Sequence, residues 1–335
     1  MNRIFALLAI CLFGVSARAL AKEPKPLFAS DAPITVTIQG PLQSLVDNRN
    51  SPPLPATLTA DGVTYPITLA TRGIFRKANC EFPPLKVEFT RAAPEGSLFH
   101  GQRHLKLVAH CMRDSAFQQK VLLEYSAYRL YNLMTPQSFR ARLANIDYLD
   151  ANGRPYVSRV GFFIEDLSDV AKRNGLKVAK LGSLVPLEQI DPSSAARFAV
   201  FEYMISNYDW SMRAAPKGED CCHNGRLLSN GLSGTLFTPV PYDFDFSGLV
   251  DAPYASPPEG LPIDNVRQRT YRGYCAHLAQ ARAFAAQLSP RRAEFLGVFS
   301  TIPGLAPREQ SKASNYLQAF FADLDSGKIF KSCAR

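Results

Sequence analysis

Residues 141–164 read ARLANIDYLDANGRPYVSRVGFFI, and this stretch contains the clearest β-hairpin signal in the chain. Strand-type residues lie on both sides of 150–153, where an acidic residue, an alanine, an amide and a glycine form the kind of sequence that makes a tight turn. The stretch therefore predicts two antiparallel strands.

The elements on either side of this hairpin indicate a β-rich first half and a helical second half. Residues 118–134 carry apolar side chains at helical spacing and end before Pro136, so they predict one amphipathic helix. Asp191 and Pro192 predict the start of a buried helix over 194–206. Other strands are predicted at 34–38, 85–89 and 104–108, and two short strands over 56–69 are separated by a turn at 60–62. Other helices are predicted at 276–288, 290–299 and 309–324. The prediction is an α+β fold with a β-rich lobe over 33–165, containing one helix, and a mostly helical lobe over 166–335.

The N-terminus has the features of an export signal. Residues 1–21 begin with Arg3, continue through an apolar run from Ile4 to Phe13, and end on Ala19-Leu20-Ala21, a typical cleavage site. The apolar run is shorter than the roughly 20 residues that a membrane-spanning helix needs. We therefore expect an exported protein, periplasmic or extracellular, with no transmembrane span and a mobile leader over 22–32.

Composition and charge exclude several classes of protein. The chain has 335 residues, of which 46% are hydrophobic and 20% are charged, which is unlike a disordered chain or a coiled coil. The formal net charge of +9 falls to +7 when Arg3 and Arg18 leave with the signal segment. Because the basic residues are not grouped into arms or stripes, we expect no nucleic-acid partner.

Six cysteines remain after residue 21, and an even number in an exported chain predicts structural disulfides. Cys80 and Cys111 each follow a strand-like run in the same half, so we predict that they pair. We expect Cys221 and Cys222 to bond outward to Cys275 and Cys333, since adjacent cysteines bond to each other only with strain.

Three polar groups in the second half are candidates for chemistry. Asp209 follows the buried helix, Asn224 lies beyond a polar loop, and Asp243 and Asp245 lie two residues apart among aromatic residues. Buried carboxylates need a charged partner, and Mg²⁺ or Mn²⁺ prefers oxygen ligands. The alternatives are a turn at the end of a strand or a structural Ca²⁺ site for the aspartate pair, and a simple turn after the helix for Asp209.

These residue types match what phosphoryl transfer requires. The reaction uses a carboxylate to orient the acceptor hydroxyl, an amide and a carboxylate on the metal, and a basic residue on the phosphates. Lys106 on a strand and Glu124 on the next helix could form the basic residue and its partner glutamate. Lys86 and Arg72 compete with Lys106 for the phosphates.

The motifs resemble those of atypical, kinase-like families, the spore-coat CotH kinases and the HipA-type kinases. The resemblance covers roughly residues 65–250. It consists of five matches in the expected order: Thr71-Arg72-Gly73, Val160 to Asp166, Asn207 with Asp209, Asn224, and Pro239 to Asp245.

The resemblance implies a two-lobed, atypical protein-kinase-like fold with its site between the lobes. It makes Asp209 the catalytic aspartate, and it makes Asn224 and Asp243 ligands of Mg²⁺ or Mn²⁺. Asp245 would support that metal site. The resemblance also makes Arg72 a nucleotide-site residue and Glu165 the end of a strand leading into the hinge between lobes.

The sequence thus predicts an exported phosphotransferase that moves phosphate, or a nucleotidyl group, from ATP to an unknown protein or envelope acceptor. Two alternatives stay open. One is a non-catalytic binding or scaffold protein of the cell envelope, and the other is a metal-dependent phosphoesterase that uses the same carboxylates.

Overall fold

The first half of the chain forms a closed seven-stranded β-barrel. The computed structural model describes residues 23–232, 234 and 236–333, so the predicted signal peptide over 1–21 lies outside the described residues. The barrel strands are β1 (Ile34–Gln39), β2 (Leu54–Ala60), β3 (Val63–Thr71), β4 (Leu85–Phe89), β5 (His104–Val108), β6 (Ala141–Leu149) and β7 (Pro155–Ile164).

The predicted hairpin is confirmed as β6 and β7, which pair antiparallel from Ala141↔Ile164 to Leu149↔Pro155. The carboxylate of Asp150 accepts hydrogen bonds from the backbone N–H groups of Asn152 and Arg154, which fixes the turn. Around the barrel the strand order is β1-β2-β3-β4-β5-β7-β6. The barrel closes where β1 pairs parallel with β6, from Ile34↔Ala144 to Gln39↔Leu149.

The prediction of a two-lobed kinase-like fold is wrong. The α+β class holds, but the β part is a closed barrel rather than the open sheet of a kinase N-lobe. The difference comes from the β1–β6 pairing, which joins residues 110 positions apart in the sequence and leaves no free sheet edge between them.

Eight α-helices lie in the described part of the chain. They are α1 (Leu42–Asp47), α2 (Phe75–Asn79), α3 (Gln118–Met134), α4 (Leu167–Arg173), α5 (Pro192–Ile205), α6 (Leu278–Leu288), α7 (Arg292–Gly297) and α8 (Pro307–Asp325). The predicted helix over 118–134 is confirmed as α3. The helix predicted over 194–206 is α5, whose N-cap Asp191 accepts a hydrogen bond from the Ser194 N–H.

Two hydrophobic cores lie on either side of the barrel wall. Neighbouring residues of β7 point to opposite faces, so Phe163 belongs to the barrel interior and Phe162 to the helical core outside. The ring of Phe162 lies 5.7 Å from that of Tyr125 and 5.5 Å from that of Tyr128, both on α3. The same core contains Phe244, next to the predicted aspartates. The helix α3 therefore joins the barrel to the second half.

A small sheet lies in the second half, with the order β10-β9-β8. Its strands are β8 (Lys177–Val178), β9 (Gly225–Ser229) and β10 (Thr238–Pro241). Because β9 and β10 pair antiparallel, the loop before β9 and the loop after β10 emerge at the same end of the sheet. This pairing brings Asn224 close to Tyr242.

Three disulfides connect the six described cysteines. The predicted Cys80–Cys111 bond is confirmed. The other prediction is wrong, since Cys221 bonds to Cys222, and Cys275 bonds to Cys333. Cys275 lies just before α6 and Cys333 ends the segment after α8, so the packing of these elements already brings this pair together. In residues 23–333, apart from the undescribed positions 233 and 235, none of the helices combines the length and the apolar character needed to cross a bilayer.

Candidate functional site

A cavity of about 340 Å³ lies where the segment after β3 meets the loops before β9 and after β10. Five of the eight predicted site residues line this cavity. They are Arg72, Asp209, Asn224, Asp243 and Asp245. The cavity therefore gathers residues that are up to 173 positions apart in the sequence.

The loop after β10 holds its two aspartates in a fixed conformation. Asp243 has a left-handed backbone with φ of 67°, and its N–H donates to the Tyr128 hydroxyl on α3 at 3.0 Å. The next residue, Phe244, is fully buried and anchors the loop in the helical core. The Tyr254 hydroxyl donates to Asp245 at 2.8 Å. The hydrophobic anchor and these hydrogen bonds direct both carboxylates to the same place.

Glu124, Asp243 and Asp245 form a cluster that we call the carboxylate triad. One oxygen from each lies within 4.8 Å of the others, a spacing at which three carboxylates could hold a metal ion. The guanidinium of Arg76, on α2, lies among them. It donates to Glu124 at 2.8 and 3.3 Å, contacts Asp245 at 3.3 Å and bonds to Asp243. Arg76 is only 7% exposed, so this is a buried ionic cluster.

Burial sets the protonation of the triad. It raises the pKa of Glu124 to about 8, against the opposing charge of Arg76. Burial also raises the pKa of Asp245 to about 6. Burial works against ionisation of Asp243 too, but Arg76, Arg72 and Lys106 together hold its pKa below the usual value. One guanidinium faces three carboxylates, so its charge only partly offsets the effect of burial on the pKa values of Glu124 and Asp245.

Asp209 lies in a second group of polar residues on the cavity wall. The helix α5 ends at Ser206 in a left-handed conformation, and the Asp209 N–H donates to the Asn207 side chain at 3.2 Å. One Asp209 oxygen lies 2.7 Å from His223 Nε2, and the other accepts from the Asn224 amide at 2.8 Å. The hydrogen bond that His223 makes to the Asp209 carboxylate raises the pKa of His223. Asn224 thus contacts the predicted catalytic aspartate directly.

Basic residues surround Tyr242 at the other side of the cavity. Lys106 Nζ lies 4.5 Å from the centre of the Tyr242 ring, and the Arg226 guanidinium lies 4.7 Å from it. Arg226 also donates to the carbonyls of Cys222 and Gly225. Burial, with the nearby charges of Arg72 and Arg226, lowers the pKa of Lys106 to about 7. Within the described residues Lys106 has no ion-pair partner, and it lies close to two other basic residues, Arg72 and Arg226.

Two predicted residues have other positions than expected. Lys106 does not pair with Glu124, because Arg76 already occupies that carboxylate. Glu165 does not line the cavity. It follows β7, binds the Arg173 guanidinium at 3.0 Å and accepts from the Arg140 N–H at 3.0 Å, which ties the end of β7 to α4.

Sequence reasoning missed Arg76 and Arg226, and it read His223, next to Asn224, as a loop histidine. Arg76 lies four residues after Arg72, and Arg226 lies two residues after Asn224. Nothing local identified the partners of Arg76, which lie 48 and 167 positions away. Three arginines that follow the acidic loop, Arg267, Arg269 and Arg272, lie elsewhere. Their guanidinium groups donate to the backbone carbonyls of Gly248, Met204, Tyr316 and Tyr208.

No model of a known protein family matches this chain, and no curated protein matches its sequence. The resemblance to CotH and HipA-type kinases therefore rests on its short motifs and stays a prediction. The arrangement of side chains in the cavity is the remaining basis on which a function can be assigned.

Proposed function

We propose that the cavity binds ATP and transfers a phosphoryl group to a hydroxyl of a protein or envelope acceptor. The observation that carries the proposal is that Asp209, Arg72 and Arg226 line the same cavity from different segments of the chain, with Lys106 behind Tyr242. A hydroxyl acceptor needs a carboxylate beside it, and phosphates need concentrated positive charge. The proposal keeps the activity that the motifs imply, without the kinase-like fold.

The phosphates would bind on the basic side of the cavity. Arg72 and Arg226 line it, and Lys106 adds positive charge behind Tyr242. Arg226 is held by two carbonyls, so it is already oriented before a ligand arrives. Fixed cations stabilise phosphate charge without reorganising during the reaction.

Asp209 would orient the acceptor hydroxyl. Its two oxygens are positioned by His223 and Asn224, and each keeps a lone pair for a further hydrogen bond. As the acceptor oxygen bonds to the γ-phosphorus, the bond from phosphorus to the β,γ-bridging oxygen breaks. The hydroxyl proton passes to Asp209, and ADP leaves with the electron pair.

Export fits an acceptor in the cell envelope. Three disulfides occur among the described cysteines, and disulfides persist in oxidising compartments. Together with the predicted signal peptide over 1–21, they support a periplasmic or extracellular site of action. Because ATP is scarce outside the cytoplasm, the proposal also requires a source of ATP in the compartment where the protein acts.

A second candidate function is a binding protein that recognises a phosphorylated partner without reacting with it. The specific observation in its favour is that both oxygens of Asp209 are already engaged, as is every member of the carboxylate triad. Such a protein would use only the basic side of the cavity.

Thermal unfolding with and without ligands separates these candidates. ATP should raise the melting temperature of the wild type, because a ligand that binds only the folded state stabilises it. The increase should be lost in Arg226→Met and kept in Lys77→Met, a control whose side chain lies outside the cavity lining. Stabilisation by a phosphorylated peptide but not by ATP would favour the binding protein. Stabilisation by Mg²⁺ or Mn²⁺ without nucleotide would favour the phosphoesterase, and no response to any ligand would exclude all three.

A further inference from the structure

We propose that Arg76 is the resident cation of the carboxylate triad and that it excludes a divalent metal ion from that position. The motifs predicted Mg²⁺ or Mn²⁺ on Asp243 and Asp245. In the folded chain those carboxylates and Glu124 all bind one guanidinium instead. The inference does not depend on the proposed phosphotransfer.

The contacts of Arg76 leave no room for an ion among the three carboxylates. NH1 and NH2 bind the two oxygens of Glu124 at 2.8 and 3.3 Å, Nε lies 3.3 Å from Asp245, and NH2 also binds Asp243. All three guanidinium nitrogens are used. Since the triad oxygens lie within 4.8 Å of one another, an ion at their centre would coincide with the guanidinium.

The charge around the triad also opposes a second cation. Arg72 and Lys106 already act on Asp243 alongside Arg76. A divalent ion would have to displace the guanidinium from all three carboxylates.

The fold restricts the movement of Arg76. The Cys80 N–H donates to the Arg76 carbonyl at 2.9 Å, and Cys80 is bonded to Cys111. On the other side, the Arg49 guanidinium donates to the carbonyls of Lys77 and Ala78 at 2.8 and 2.7 Å. The disulfide and Arg49 together hold α2 against the triad, which keeps the backbone of Arg76 beside the three carboxylates.

Electron paramagnetic resonance of Mn²⁺, recorded without nucleotide, tests the inference. Free Mn²⁺ gives a six-line signal that decreases on binding. Wild-type protein should leave this signal unchanged at concentrations where Arg76→Met reduces it, with an affinity difference of roughly tenfold or more. Lys77→Met, on the same helix but not in the triad, should behave like the wild type.

Two further variants locate the binding. The Mn²⁺ site gained in Arg76→Met should disappear when Glu124→Gln is added. Wild-type binding of Mn²⁺ that Glu124→Gln removes would overturn the inference, and so would the absence of binding in a folded Arg76→Met. If Arg76→Met does not fold, Arg76→Lys replaces it: an ammonium cannot bridge all three carboxylates, so this variant should bind Mn²⁺ more tightly than the wild type, and equal affinities would overturn the inference.

Discussion

At the scale of single residues, buried charges in this protein are held by partners from distant parts of the chain. Arg76 binds Glu124, 48 positions away, and Asp243, 167 positions away. Removing one partner of a buried ion pair leaves the other without compensation, which is far more costly than losing a surface pair. The triad is therefore a structural requirement of the cavity, and two of its members, Asp243 and Asp245, also line the cavity.

The first prediction at this scale concerns Lys106, whose pKa of about 7 makes the charge of the cavity dependent on pH. A bound anion favours the protonated amine, so affinity should fall as pH rises above 7. Sulfate keeps its charge over this range and is a suitable probe. Its affinity in the wild type should decrease by up to about tenfold between pH 7 and 8, as measured by calorimetry.

Lys106→Met is the matched variant, because it keeps a side chain of similar length without the titrating amine. It should bind sulfate more weakly than the wild type at pH 6, and its sulfate affinity should change less than that of the wild type between pH 6 and pH 8. Equal pH dependence in the two proteins would show that Lys106 does not control the charge of the cavity.

The second prediction concerns His110, which is buried and stacks on Phe82 with a centroid distance of 4.5 Å. Burial, with the charge of Arg159, lowers its pKa from 6.5 to about 4. The unfolded chain therefore binds a proton at a higher pH than the folded chain does. The resulting contribution to stability is present above pH 6.5 and is lost as pH falls through 4, amounting to up to about 3 kcal/mol.

His110→Phe preserves an aromatic stack and removes the titration. Urea unfolding at pH 7 and pH 4.5 should show a smaller loss of stability in this variant than in the wild type. The exposed His100→Ala serves as the control and should follow the wild type. Parallel losses in all three proteins would contradict this account of His110.

At the scale of elements, local sequence predicted α3, α5 and the β6–β7 hairpin because each has its signal within its own residues. The apolar spacing of α3, the Asp191 cap of α5 and the Asp150 turn of the hairpin are all local features. The short helix α2 was not predicted, since five residues give no periodicity. Its position depends on the disulfide that follows it and on the Arg49 side chain.

The third prediction concerns that disulfide. Replacing Cys80 and Cys111 together by serine should reduce the free energy of unfolding by about 3–4 kcal/mol, from the loop of 31 residues that the bond closes. It should also loosen α2, which hydrogen exchange of its amides would detect. The double variant Cys275→Ser and Cys333→Ser is the control. It should reduce the free energy of unfolding by a similar amount but leave hydrogen exchange in α2 unchanged. Unchanged exchange in α2 in the first variant would mean that the disulfide does not hold this helix.

At the scale of the whole molecule, the cavity exists because the barrel and the helical part share α3. Tyr128 of α3 contacts the barrel residue Phe162 and accepts a hydrogen bond from Asp243. Sequence reasoning assigned Asp209, Asn224, Asp243 and Asp245 to one site, and the four residues do line one cavity. It did not predict the closed barrel or the position of Arg76, because both result from pairings between segments that have no local signature.

The central claim is that this cavity transfers phosphate, and label transfer tests it most directly. Purified protein beginning at Lys22 would be incubated with ATP labelled at the γ-phosphate and with an envelope fraction, beside Asp209→Asn and the exposed control Asp220→Asn. We predict labelled envelope material with the wild type and with Asp220→Asn, and at least a hundredfold less with Asp209→Asn, the scale of a positioned proton acceptor. Equal labelling by the wild type and Asp209→Asn, or none by a wild type that binds ATP, would contradict the claim.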